Sequence, residues 1–342
     1  MGRRIPYTEK QLFRGNGVRT FDGRHLDEIA FPLGGIGTGC ISLGGWGQLR
    51  DWELFNHPNK GCNSGTSLFG VRVHPSDGKP AVRLLQGQPG GSYAAGGHGL
   101  RAWNAKFPGF RSCRFEGAFP FADVHLNDPG TPVSARIEAW SPFVPGDADA
   151  SSRPVAVFHF HVTCTGTAPV NVQLFALLEN LTGFPETGGC RNTVRHTPAG
   201  AGVFLTTARH EADSPRFGSM ALLCPRSDVH ATARAISGPG FDGAWEFWTR
   251  LREKGIFPID APYAESAENE TVTAGLTVTA SLDPGESVTI PLILAWHSPV
   301  SDAGGAPWKT YTGARFEDAW NAAADAAAQR GELENRTRAF QS

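Results

Sequence analysis

Apolar and polar residues alternate with period two over Val133–Trp140. Val133, Ala135, Ile137 and Ala139 fall on one side, and Ser134, Arg136 and Glu138 on the other, the pattern of a half-buried strand. Short runs rich in Val, Phe, Ile and Leu recur at Thr66–Val73, Ala81–Leu85, Phe119–Leu126, Val155–Thr163 and Val170–Leu178. They resume at Thr271–Ala280 and Ser287–Trp296, which the turn LDPGE joins. Turn clusters such as HPSDGKP, NDPGTP and CTGTAP separate the runs. Many strands without interleaved helices predict a mostly β chain, a large antiparallel sandwich rather than a βαβ fold.

Two helical patterns interrupt. Ala244–Lys254 is short and is followed by Gly255, a fitting C-terminal stop. From Ala314 the apolar residues Phe316, Trp320, Ala323 and Ala327 fall at helical spacing, and Leu333, Thr337 and Phe340 form a second stripe. No apolar partner for that stripe stands within the segment itself. We therefore expect residues 1–312 to form the sandwich and 313–342 a linker helix with an open face, leading into a further domain; the alternative is that the stripe packs back on the sandwich.

The chain has 342 residues, 42 of them glycine and 25 proline, which suits a strand-and-turn architecture. Its formal charge is −2, and no Lys/Arg-rich run offers the patch that phosphate neutralisation requires, so nucleic acid is not an expected partner. The six cysteines lie at long, irregular intervals with no CxxC pair. The N-terminal residues show no secretory apolar core, and no run is long enough to span a membrane. These features predict a cytoplasmic protein with reduced thiols.

The stretch LGGIGTGCISLGGWGQLRDWELFN, Leu33–Asn56, has seven glycines in its first fifteen residues. Neither a dinucleotide fingerprint nor a Walker loop fits: the glycine spacing is wrong, a strand-like CISL follows, and no Gly-Lys-Ser/Thr occurs. The expected role is structural, with glycines at tight corners or close backbone approaches. The segment Trp46–Asn56 would then project from one end of the sheet. It combines polar groups (Gln48, Arg50, Asp51, Glu53, Asn56) with flat apolar ones (Trp46, Trp52, Phe55), a mixture suited to sugars or to a protein interface.

The run FPLGGIGTGCISLGGWGQLRDWELFNHPNKG resembles the opening of glycoside hydrolase family 116, the non-lysosomal glucosylceramidases and bile-acid β-glucosidases. FPFADVHL, SPFVPGDADASSRPVAVFHFHV, LLENLTG, ILAWH and YTGARFEDAW continue the likeness in order. The resemblance implies an N-terminal β-sandwich (supersandwich) domain followed by an (α/α)6 catalytic barrel. That barrel would carry the nucleophile and acid/base carboxylates and bind the β-glycoside. No catalytic residue, cofactor or metal is then expected in this chain. Gln48, Arg50, Asp51, Trp52, Glu53 and Asn56 become candidates for a loop that shapes the cleft or touches the catalytic domain. The competing readings are a stand-alone carbohydrate-binding module and a protein-interaction sandwich.

Other chemistry is weaker. Asp51 and Glu53 share a strand face, but two carboxylates on one side cannot flank an anomeric carbon from both faces; pairing with Arg50 or Lys60 is expected instead. His159 and His161, with His125 as a third, have the residue types of a metal site, but two polar residues on a half-exposed strand are the expected explanation of the pair. The polar segment between Glu179–Asn180 and Arg191–Asn192 is expected to face the partner domain.

Overall fold

A computed structural model describes Thr8 and residues 17–62, 64–88, 107–236 and 240–341. The strands are β1 (Arg19–Asp22), β2 (Ala30–Leu33), β3 (Cys40–Gly44), β4 (Leu49–Glu53), β5 (Leu68–Pro75), β6 (Ala81–Leu84), β7 (Ser112–Ala118), β8 (Phe121–Asn127), β9 (Val133–Trp140) and β10 (Val155–Cys164). They continue as β11 (Val170–Glu179), β12 (Cys190–Thr197), β13 (Gly200–Thr207), β14 (Ser219–Cys224), β15 (Val229–Thr232), β16 (Tyr263–Glu265), β17 (Thr273–Leu282), β18 (Ser287–His297), β19 (Val300–Ser301) and β20 (Trp308–Lys309). The helices are α1 (Ala148–Ser151), α2 (Gly240–Lys254), α3 (Tyr311–Arg315), α4 (Ala319–Ala328) and α5 (Arg330–Gln341).

A ten-stranded sheet runs β1-β7-β8-β9-β10-β18-β14-β13-β12-β16, and a five-stranded sheet runs β15-β17-β11-β5-β6. Between them lies the main core, with Val71, Leu174 and Leu276 on the small sheet facing Ile137, Phe158, Phe160 and Leu292 on the large one. Strand β9 matches its sequence pattern, Val133, Ala135 and Ile137 pointing into that core.

Helices cover both outer faces. On the small sheet, α2 buries Phe247, Trp248 and Leu251 against Phe175 and Leu177, and ends at Gly255, whose φ of 68° and N–H bond to Leu251 O form the expected stop. On the large sheet, Phe316, Ala319, Trp320, Ala323 and Leu333 pack on Trp140, Val157, Phe204, Leu223 and Ile293. This double cover explains why β10 and β18 read as continuous apolar runs: sheet faces buried on both sides lose their alternation.

That packing corrects one expectation. The C-terminal segment is three helices rather than one, and its stripe lies on the sandwich instead of standing open. Leu333 and Thr337 are buried, and only Phe340 remains largely exposed. Phe340 still meets the Phe143 ring, edge to face at 5.0 Å between centroids. A ten-stranded sheet has a second apolar face that the stripe can cover.

Candidate functional site

Strands β2, β3 and β4 form a three-stranded sheet of their own. The glycine loop 34–39 connects the first two and passes over the end of β18. Close approach is what its glycines permit. A Cβ on Gly35 would lie 2.3 Å from the Arg153 carbonyl oxygen, and one on Gly34 would lie 2.7 Å from the Trp296 ring. Gly34, Gly37 and Gly39 also adopt positive φ, at 141°, 75° and 81°, a region open to glycine at little cost. The loop is pinned: Gly34 N–H donates to Ser141 Oγ (2.7 Å), Ile36 N–H to Ser151 O (2.8 Å) and Trp296 Nε1–H to Thr38 O (2.7 Å). The Gly34, Ile36 and Thr38 amides are thus committed to the fold, Thr38 N–H donating to Gly35 O (3.2 Å).

The six sequence candidates separate. Gln48 is buried, and its Oε1 accepts Trp46 N–H (3.2 Å), which closes the β3–β4 turn. Asp51 is buried with φ 52°; its Oδ1 accepts Gly61 N–H (2.7 Å) and its carboxylate lies 3.4 Å from Arg50 Nε. Trp52 belongs to the main core. The flat apolar surface expected of Trp46, Trp52 and Phe55 is therefore absent: all three rings are inside, since β4 turns that face towards the sandwich. Glu53 pairs with Lys60 Nζ (2.6 Å) and accepts from the Cys40 thiol (3.6 Å). Burial, and then the Glu53 charge, push that thiol's pKa up, so Cys40 is a poor nucleophile.

Glu53 and Asn56 alone of the six line a cavity, of 380 Å³, with Gly37, Thr38, Cys40, His57 and Ser298. Asn56, at φ 57°, spends its amide NH2 on Pro215 O (2.7 Å) and Val300 O (2.9 Å), joining this loop to two others. A second cavity of 520 Å³ adjoins it, lined by Ile36, Ser152, Ser301, Trp308 and Tyr311 among others. Sequence reading missed these residues. The one available signal was Trp308, an aromatic residue set in the Gly/Pro-rich turn GGAPWK.

The histidines do not converge. His125 and His161 each stand opposite Arg136 in the β8–β9–β10 register, so a guanidinium separates them. His125 pairs with Glu116 (3.2 Å), and His159 Nδ1 lies 3.2 Å from Glu138 Oε1. His159, Glu138 and Glu334 bring ligand-type atoms within 4.8 Å, but Arg338 already donates to both carboxylates, at 2.6 and 2.8 Å. The cluster thus holds a cation of its own. Despite burial, His159 and the two arginines pull the Glu138 carboxyl down to about 2. Burial, reinforced by Arg136, lowers His161 to about 4.

Asn180 and Asn192, which flank the segment expected to face a partner, are fully buried staples. Asn180 Nδ2–H donates to Asn192 Oδ1 and Thr206 O (both 2.9 Å), and Asn192 Nδ2–H to Ala233 O (3.0 Å). Glu179 and Arg191 bond to Thr271 and Glu265 of the same chain.

Residues 30–336 match the family described as beta-glucosidase 2, glycosyl-hydrolase family 116 N-term. The chain belongs to this family. The solved structures that match are distant from this family 116 N-terminal domain in sequence and in structure. A protein described as a kojibiose phosphorylase from the human microbiome is 7% identical, with TM-score 0.38, over 95% of this chain and 31% of that one. A family 36 α-galactosidase of Geobacillus stearothermophilus is 8% identical, with TM-score 0.38, over 82% and 41%. A family 92 α-mannosidase of Bacteroides thetaiotaomicron is 10% identical, with TM-score 0.33, over 80% and 32%. The domain spans less than half the length of each of these proteins.

Proposed function

We propose that this chain is the non-catalytic N-terminal domain of a retaining β-glycosidase, a β-glucosidase or glucosylceramidase-like hydrolase of O-glycosyl bonds. In this reading residues 313–342 lead towards an (α/α)6 catalytic barrel. The domain stabilises that barrel and shapes its cleft, and the β-glycoside binds through the barrel. The observation that carries the reading is the family match over residues 30–336. The state of the carboxylates supports it: Asp51 is buried and bonded to Gly61 N–H, and Glu53 is paired with Lys60, so neither is poised to attack or protonate a glycoside. Glu53 and Asn56, on the cavity wall, are the residues of the Leu33–Asn56 stretch best placed to meet a partner domain. A cytoplasmic location is supported by six unpaired cysteines.

The test compares this chain with the longest polypeptide its gene encodes, using p-nitrophenyl β-D-glucopyranoside and following the first-formed anomer by proton NMR. The reading expects no turnover by residues 1–342, and turnover with retention by the longer protein. Turnover by the 342-residue chain, or an inverted product, refutes it.

A further inference from the structure

Strand β1 is the outer strand of the ten-stranded sheet, whereas β2 belongs to the separate three-stranded sheet. No ladder of hydrogen bonds therefore closes the gap between them. A short 3-10 helix, Gly23–Leu26, links the two strands, and the rim of the main core is left as a groove of 470 Å³. That volume lies within the range of small-ligand sites, about 300–1,000 Å³.

The groove walls are aromatic. Phe21 on β1 stands opposite Phe115 on β7, with ring centroids 6.5 Å apart. Phe31, from β2, brings its ring to 6.2 Å from Phe115. Ile29 and Phe119 extend the apolar wall. Phe119 is 53% exposed, and its ring is held edge-on to Phe143 at 5.0 Å. Phe143 is in turn braced by Phe340. Walls fixed in this way lower the ordering cost of binding.

One charged side chain stands on the wall. Arg19 shares a face of β1 with Phe21, two residues on, and lines the same groove. It is exposed and has no ion pair among the described residues. The nearby acids cannot supply one from the sheet: Asp22 and Glu116 fall on the opposite face by alternation, and Glu116 there pairs with Arg114 and His125. The polar side chain of Gln341, also on the wall, spends its NH2 on Ala118 O. The groove thus offers a long apolar surface with a single guanidinium beside it.

We propose that this groove binds a single-chain amphiphile with a carboxylate head, its chain lying along Phe21, Phe31 and Phe119 and its head paired with Arg19. The planar guanidinium fork fits a carboxylate in two parallel hydrogen bonds. One positive charge balances one negative charge, so a neutral head leaves Arg19 without a counter-charge and a cationic head is repelled. The proposal does not rest on the glycosidase reading above, so the two stand or fall separately.

Titration calorimetry of the 342-residue chain with decanoate, decan-1-ol and decyltrimethylammonium tests it. Decanoate should bind saturably with a dissociation constant of roughly 0.1 mM, about tenfold tighter than the alcohol and tighter still than the cation. Octanoate, two methylenes shorter, should bind about 4–15-fold more weakly. Arg19→Gln should bring decanoate down to the affinity of the alcohol. Phe119→Ser should weaken all the chains, and Ile256→Ser, which changes an exposed residue following α2, should leave them unchanged. Arg19 is exposed and unpaired among the described residues, so a melting temperature equal to wild type shows that Arg19→Gln acts on binding; the comparison of head groups on the wild-type chain needs no variant at all. Absence of saturable decanoate binding overturns the proposal. So do equal affinities for the three head groups, equal affinities for octanoate and decanoate, or unchanged decanoate binding by Arg19→Gln.

Discussion

Replacing Gly35 by Ala tests whether the glycine loop exists for close packing. The added methyl would sit 2.3 Å from Arg153 O, 2.6 Å from Ser152 C and 2.8 Å from Arg153 C. All three atoms are backbone, in the chain that also carries Ser151 O, the acceptor of Ile36 N–H. Ordinary carbon–oxygen contact therefore requires the loop to retreat by about 1 Å. Overpacking of that kind costs about 1–3 kcal/mol, and stretching the adjacent 2.8 Å bond adds about 1 kcal/mol. The sum is about 2–4 kcal/mol. Unfolding entropy of about 2.1 cal/mol/K per residue gives roughly 0.7 kcal/mol/K for this chain, so the melting temperature should fall by about 3–6 °C. Gly37→Ala is the matched control. Its methyl meets nothing, and only the φ of 75° is penalised, at about 1–2 kcal/mol. Urea and thermal unfolding of the two variants should rank Gly35→Ala below Gly37→Ala, with equal m-values. If Gly35→Ala were as stable as wild type, or Gly37→Ala the worse of the two, the close-approach reasoning would fail.

Trp320→Ala removes the largest ring that α4 places against the large sheet, and should destabilise the chain by about 3–5 kcal/mol in chemical unfolding; a change under about 1 kcal/mol would mean that α4 is not docked. His161 has a folded pKa below its unfolded value, so its neutral form contributes stability that is complete above about pH 6.5 and declines as pH falls towards about 4; His161→Gln should flatten the stability profile across that window, as denaturation at fixed pH values will show. Glu138, held down to about 2, acts in the same direction one step lower, between about pH 4.5 and pH 2. Excess zinc should leave the melting temperature of the chain unchanged, because Arg338 occupies the Glu138–Glu334 cluster; a rise of several degrees would show that the metal displaces the guanidinium.

The strands were largely legible. Period-two alternation is a local property, and Val133–Trp140 and Ser287–Trp296 fell within a residue of their observed limits. The purpose of the glycines was also legible in kind, because a wrong spacing excludes a phosphate cradle without any knowledge of neighbours. The candidate site was not. Gln48, Asp51 and Trp52 have the composition of a recognition loop but serve the turn, the ion pair and the core. Polar residues of identical type satisfy a fold or a ligand depending on what stands opposite them, and their partners here lie at other places in the chain, as with Asn56 and Val300 O.

Residue order alone therefore determined the β architecture, the end of α2 at Gly255 and membership of the family, each encoded in contiguous patterns. Tertiary structure decided which aromatic rings are inside. It buried Trp46 and Trp52, left Trp308 half exposed, and laid the C-terminal stripe on the outer face of the large sheet. The physical reason is that periodicity fixes which side of an element is apolar, while the surface that covers that side comes from strands and helices distant in sequence.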